Sequence, residues 1–294
     1  MNCLPKISVV TPSYNQAAYL KEALCSVKDQ HYSAVEHIVV DGASTDGSVD
    51  VLRSLSVQPE WRHLRWISEP DRGQSDALNK GFRMTTGDII GWLNSDDTYA
   101  EGCFERVVAA FTKFADIDVL YGDYRWIDES GHLLKVRREI DFSSFILFYN
   151  RICFIQSSGA LFMKRSIFDR GCFLNEDYQY SMDYEFYLRL ATDGFRFAHV
   201  RSVLGSFRWH SHSKSSVSPQ KQVSEMNAAR EKYAPALRRL HGRKSKVIVL
   251  FFLRSCATIL RWGEKAVLGH YFESILGIDS KKEIPNTVAD ANNR

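Results

Sequence analysis

An apolar run at residues 89–93, Ile-Ile-Gly-Trp-Leu, breaks directly into Asn94-Ser95-Asp96-Asp97. Apolar residues on both parities of an extended segment describe a strand covered on both faces, as in a parallel sheet sandwiched by helices. The carboxyl end of such a strand opens onto the crevice where α/β sheets hold ligands, so the run delivers two adjacent acids there. Like charges ~4 Å apart repel by roughly 4 kcal/mol at an effective dielectric of about 20. Two readings follow. Either Asp96 and Asp97 cap the next helix, or a hard cation, Mg²⁺ or Mn²⁺, turns their repulsion into attraction for a diphosphate.

The same strand-to-polar-turn pattern recurs along the first part of the chain. Residues 6–11 read as a β-branched strand ending at Pro12-Ser13-Tyr14-Asn15. Asn15 would cap a helix with Ala17, Leu20, Leu24 and Val27 on one stripe. Residues 37–40 end on Asp41 and a small polar turn, followed by a short helix carrying Val49 and Leu52. Residues 64–67 end at Glu69-Pro70-Asp71-Arg72-Gly73, before a helix over 75–83. After Asp97, Phe104, Val107, Val108 and Phe111 mark another helix. Four strand–helix units predict an α/β fold: a mainly parallel, Rossmann-like sheet flanked by helices, with right-handed crossovers. GxGxxG and GxxxxGK[ST] are both absent, so phosphate would be held by metal and side chains instead.

The second half is less regular. Residues 119–126 and 132–138 read as a hairpin, 159–164 as a further strand, and 195–200 and 203–209 as two closing strands. A helix starts at Met182 with Phe186, Tyr187 and Leu190 inward; Asp183 shares that face and Glu185 points elsewhere. Asp183 is then either a general base or an acid stabilised by the helix dipole. His210, in the polar turn 210–216, either binds metal or diphosphate or is a solvated loop residue.

Beyond Ser218 the composition becomes helical and basic. Arg238, Arg239, Arg243, Lys244 and Lys246 precede the apolar run 247–253, followed by Arg254, Arg261 and Trp262. The run is too short to span a bilayer. Residues 238–262 would dock on an anionic membrane, on a second copy in a homodimer, or on the protein's own body. The end, from 281, reads as a disordered tail.

A formal charge of +3 gives no argument for nucleic acid as a partner. The six cysteines form no CxxC pair and no zinc-type cluster, which fits reduced thiols. With no apolar signal region before the first strand, the expectation is a cytoplasmic protein, peripheral on the inner face of the membrane.

Six stretches then carry a family signature in order: ISVVTPSYN, VVDGASTDGS, DRGQSDALNKG, GWLNSDD, MDYEFYLRL and FRWHSHSKS. The chain resembles the family 2 glycosyltransferases from about residue 6 to 216. The resemblance implies a GT-A fold at 1–216, with a nucleotide-sugar-binding half at 1–115 and an acceptor-side half at 116–216. A basic helical C-terminal extension and tail would occupy 217–294. It assigns Thr11, Pro12, Tyr14 and Asp41 to the base and ribose of the donor, and Arg72 to its phosphates or base. Asp96 and Asp97 match the DxD-type element that holds ribose and metal, His210 the residue completing the diphosphate or metal environment, and Asp183 the catalytic base.

Three residues depart from the pattern: Asn94 stands in place of an acid, Met182 in place of the acid before the base, and Leu78 in place of an arginine. The implied activity is inverting hexosyl transfer from a UDP-sugar, with Mn²⁺ or Mg²⁺. The acceptor would be a hydroxyl of a glycan or lipid-linked glycan, in cell-surface polysaccharide or glycolipid synthesis. The rivals are a sugar nucleotidyltransferase, which would show a Gly-rich basic loop where TPSYNQA stands, and a nucleotide- or carbohydrate-binding module without catalysis.

Overall fold

The computed structural model describes residues 4–150, 152–211, 213, 218–240 and 242–269. The first part alternates as expected: β1 (Ile7–Ser13), α1 (Ala17–Lys28), β2 (Val35–Asp41), α2 (Ser48–Ser56), β3 (Leu64–Ser68), α3 (Gln74–Met84) and β4 (Ile89–Trp92). These strands are parallel in the order β3-β2-β1-β4. The order reverses between β1 and β4, so the connections leave in opposite directions and open a crevice at the carboxyl ends of those two strands. Every residue of β1 and β4 is buried, which is why neither shows period-two alternation. Helix α3 lies so close to β1 that a Cβ at Gly81 would sit 2.3 Å from Val10 Cγ1.

The remaining strands continue the sheet: β5 (Thr98–Tyr99), β6 (Val119–Ile127), β7 (Leu133–Arg137), β8 (Leu161–Lys164) and β9 (Phe197–Arg208). Strand β8 runs antiparallel between β4 and β6, β9 lies parallel to β6, and β5 closes on β9. Helices α4 (Cys103–Lys113), α5 (Ser144–Tyr149), α6 (Ser166–Asp169) and α7 (Met182–Thr192) flank it, followed by α8 (Pro219–Tyr233), α9 (Pro235–Arg238) and α10 (Arg243–Val267). The main core joins Val10, Ile90 and Met163 of the sheet to Phe186 and Leu190 of α7. Ala229, Leu237 and Ala257 of the C-terminal helices belong to the same core.

Several expectations need correcting. The two closing strands are one strand, β9, whose pairing with β6 slips at Gly122–Asp123–Tyr124. The polar pair Arg201-Ser202 that reads as a break is absorbed as a bulge. Asn15 does not cap α1. It takes φ +52°, and its Oδ1 accepts the Thr45 N–H while Asp46 Oδ2 accepts the Ala17 N–H at 2.8 Å. Asp96 and Asp97 cap nothing, because α4 begins six residues later after Gly102, with Gln30 Oε1 accepting the Cys103 N–H. Glu185 does not point away. It is fully buried, paired with Arg189 at 3.2 Å and accepting the Tyr233 hydroxyl at 2.6 Å, because α8 covers that side of α7. The expected tail from 281, and His212, Lys214, Ser215 and Ser216 of the polar turn, lie outside the described residues.

His37 sets an acid limit on this core. It is fully buried beside Thr11, with Nε2 2.8 Å from Thr11 Oγ1. Burial, reinforced by the nearby His63, pushes its imidazole from 6.5 down to about 3. The unfolded chain takes up a proton at His37 that the folded chain refuses, so stability is intact above the unfolded value and falls as pH drops between the two. Urea unfolding should show about 2 kcal/mol less stability at pH 5 than at pH 7 from this group. His37→Gln should flatten that part of the acid limb; an unchanged slope would clear His37 of the effect.

Candidate active site

A cleft of about 730 Å³ lies at the carboxyl ends of β1 and β4. One wall comes from the β1–β4 half: Pro12 and Tyr14 at and after the end of β1, Asp71 and Gln74 around the start of α3, and Asp96 after β4. Asp183 on α7 and Trp126 and Trp209 at the ends of β6 and β9 form further wall of the same cleft. Asp96 and Asp183 thus line one cavity.

The other expected site residues lie behind its wall or beside it. Thr11 is buried and turned to His37. Asp41 is buried, its carboxylate accepting from the Ser44 N–H at 2.9 Å and the Ser68 hydroxyl at 2.8 Å, so it fixes the turn that faces Tyr14. Arg72 is 76% exposed and ion-paired with Glu176 outside the cleft lining.

The acids after β4 divide their labour. Asp96 Oδ2 accepts a hydrogen bond from His210 Nε2 at 2.9 Å. His210 is only 2% exposed, which removes the solvated-loop reading. Asp97 is buried; its Oδ1 accepts the Arg208 N–H at 2.9 Å and its Oδ2 the Asn94 amide at 3.2 Å. Burial first, then the charge of Asp96, pushes its carboxyl well above the usual range. Asn94 is suited to its place. Its Oδ1 accepts from Trp92 Nε1 and Gln74 Nε2, both at 2.9 Å, and its amide donates to Asp97. An aspartate there could not donate and would add a third carboxylate. Leu78 sits in the core rather than at the cleft.

The donor set bears on a cation. Asp96 offers an oxygen and His210, once its Nε2 sheds the proton it shares with Asp96, a nitrogen, a combination that suits Mn²⁺ when phosphate and water complete the shell. Asp97 offers less, since both its oxygens already accept hydrogen bonds. Among the described residues no group of three His, Cys, Asp or Glu side chains converges as a metal site. The protein side chains here thus offer two candidate ligands at most, and any cation would need the rest of its shell from phosphate and water.

Two positioning residues escape sequence reading. Arg208, buried at the end of β9, donates to the backbone oxygens of Asp96, Asp128 and Glu129 and pairs with Glu22 at 2.7 Å, tying the loop after β4 and the β6–β7 turn to α1. Its only signal in sequence is a charge at the end of an apolar strand. Glu225 of α8 accepts the N–H groups of Gln179, Tyr180 and Ser181 at 2.8–3.0 Å and so fixes the start of α7. Asp183 follows directly, in the first helical turn, with Oδ1 accepting the Tyr184 N–H at 2.8 Å. Nothing in local sequence links Glu225 to residues more than forty positions away.

Residues 8–172 match the sequence model of the family described as Glycosyl transferase family 2. Uncharacterised glycosyltransferases of Nostoc sp. and Rickettsia typhi are 32% identical over 166 residues and 29% identical over 210 residues. The alignments cover 54% and 68% of this chain and 51% and 60% of those proteins, so the chain spans little more than half of these relatives. TarS 1-349 of S. aureus, solved in complex with UDP-GlcNAc, superposes with a TM-score of 0.61 at 18% identity, covering 83% of this chain and 70% of that one. The mannosyltransferase PcManGT from Pyrobaculum calidifontis, in complex with GDP-Man and Mn²⁺, gives 0.60 at 18% identity, covering 90% and 76%. The architecture held in common is the GT-A fold. The family match runs from β1 past the cleft-lining Asp96 and over more than half of the chain, and on that ground the chain belongs to glycosyl transferase family 2.

Proposed function

We propose that the protein moves a sugar from a nucleotide-sugar, a UDP-sugar in the first instance, to an acceptor hydroxyl with inversion at the anomeric carbon. The observation that carries this reading is that Asp96, after β4, and Asp183, on α7, line one cleft. Pro12 and Tyr14 would border the base and ribose, with Thr11 and Asp41 supporting them from behind. Arg72 would reach the donor only by leaving Glu176. Asp183 would take the proton of the acceptor hydroxyl as that oxygen attacks, a role worth roughly 10²–10⁴ in rate. No covalent intermediate is needed, because attack and departure occur on opposite faces of the sugar.

Asp96 and His210 would hold a divalent cation at the diphosphate, with Asp97 stiffening the loop from behind. Such a cation, when bound, supplies charge stabilisation to the departing nucleoside diphosphate. PcManGT was solved with Mn²⁺, and the two neighbours carry different bases, so the uridine preference rests on family resemblance. The stacked pair Trp126 and Trp209, centroids 5.6 Å apart, supports a sugar-bearing acceptor at their part of the wall, since aromatic faces pack well on the apolar faces of pyranose rings. A glycan or lipid-linked glycan fits that wall.

A panel of nucleotide-sugars with Mn²⁺, scored by release of nucleoside diphosphate, tests the reading. Turnover of one UDP-sugar well above the others is expected. Pyrophosphate release from sugar phosphate and nucleoside triphosphate would instead identify a nucleotidyltransferase. Donor binding without any turnover or hydrolysis would identify a binding module.

A further inference from the structure

Helix α10 packs on the body through buried Ala257 with Leu250 and Leu253, and from residue 254 onward also through charged side chains. Arg254 Nη2 donates to Asn227 Oδ1 at 2.9 Å, Arg261 Nη2 to Glu139 Oε2 at 2.8 Å, and Lys265 Nζ to the Arg138 oxygen at 2.7 Å, while Glu264 accepts the Asp141 N–H at 2.8 Å. The opposite face carries Val247, Ile248, Phe251, Phe252, Ile259 and Leu260, each 55–70% exposed. Monomeric proteins rarely leave so continuous an apolar strip to water, and such strips mark interaction surfaces.

We propose that this face of α10 lies in the interfacial layer of an anionic lipid bilayer. Among the described residues no helix is long and apolar enough to cross a membrane, so the contact is one of lying on the surface. The helix has 25 residues and presents about 37 Å of length to it. Charge selects the partner. Residues 238–246 carry five basic side chains and no acidic one, with Arg238 and Arg239 both exposed. Two copies face to face would set these charges against each other, whereas anionic headgroups complement them.

The contact also has a consequence for the cleft. Arg261 Nη1 donates to the Ile152 oxygen at 3.1 Å, and Ile152 lines the cleft. The cleft edge thereby lies about one helix diameter, ~10 Å, from the lipid face, within reach of an acceptor anchored there. The lipid contact itself stands apart from the proposed chemistry.

Sedimentation of the full chain with vesicles tests it, using equal parts phosphatidylcholine and phosphatidylglycerol against phosphatidylcholine alone. Binding to the anionic vesicles is expected, weakening in high salt. The exposed double substitution Phe251→Glu/Ile259→Glu should abolish it with the circular dichroism spectrum and nucleotide-sugar affinity unchanged. Arg238→Gln and Arg239→Gln should each lower partitioning roughly fivefold. Three results would overturn the proposal. One is no vesicle binding by the wild type. Another is a light-scattering dimer that Phe251→Glu/Ile259→Glu converts to monomer while vesicle binding persists. The third is binding by a chain ending at 269 but not by the full chain, which would give the face to residues 270–294.

Discussion

Replacing Asp183 with asparagine should lower sugar transfer by roughly 10²- to 10⁴-fold while leaving the fold and donor affinity in place. The substitution keeps shape and volume, and the asparagine oxygen can still accept the Tyr184 N–H that Asp183 Oδ1 accepts now. The start of α7 is held independently, by the three N–H groups bound to Glu225. The negative charge, and with it the ability to take a proton, is lost. In the proposed mechanism that ability matters in the transition state alone, so kcat and kcat/KM should fall together with KM little changed. Calorimetric titration of donor into Asp183→Asn is the control. If donor affinity collapses along with turnover, Asp183 holds the donor and the base must be sought elsewhere on that wall.

What the sequence discloses depends on how local the cause is. The β1–β4 half is legible because burial on both faces leaves continuous apolar runs, and because strand ends put polar turns at the same sheet edge. Asp96 and Asp183 are legible for the same reason: each stands at an element boundary, where orientation follows from the element. Arg208 and Glu225 are not, since their partners lie across the fold, as with Glu225 and the 179–181 turn. Glu185 misleads because periodicity gives the faces of α7 but cannot say that α8 covers the one left over. Helix α10 stays open in sequence between membrane, second copy and own body, because its own residues cannot show that buried Glu139 draws Arg261 and Lys265 inward while Phe251 and Ile259 stay exposed. The slip in β9 is a matter of pairing with β6, which no single strand encodes.

The adjacent acids Asp96 and Asp97 should separate cleanly when stability is measured with and without Mn²⁺ and donor. In the wild type, cation and nucleotide-sugar at about a hundredfold excess over Kd should add about 2.7 kcal/mol, seen as a rise in Tm that EDTA reverses. Asp96→Asn should abolish that rise while altering the cation-free Tm little, because the amide oxygen can still accept from buried His210 while the carboxylate charge facing the cleft is gone. Asp97→Ala should behave in the opposite way. It leaves the Arg208 N–H and the Asn94 amide without their acceptors in a buried place, at about 1–3 kcal/mol each, whether or not the cation is present. Relief of the buried charge offsets part of this loss, since burial already disfavours the ionised form of Asp97. The stability loss should therefore sit in the cation-free baseline of Asp97→Ala and in the ligand increment of Asp96→Asn. A reversed pattern, with Asp97→Ala losing the increment from an unchanged baseline, would move the cation from the cleft-facing acid to the buried one.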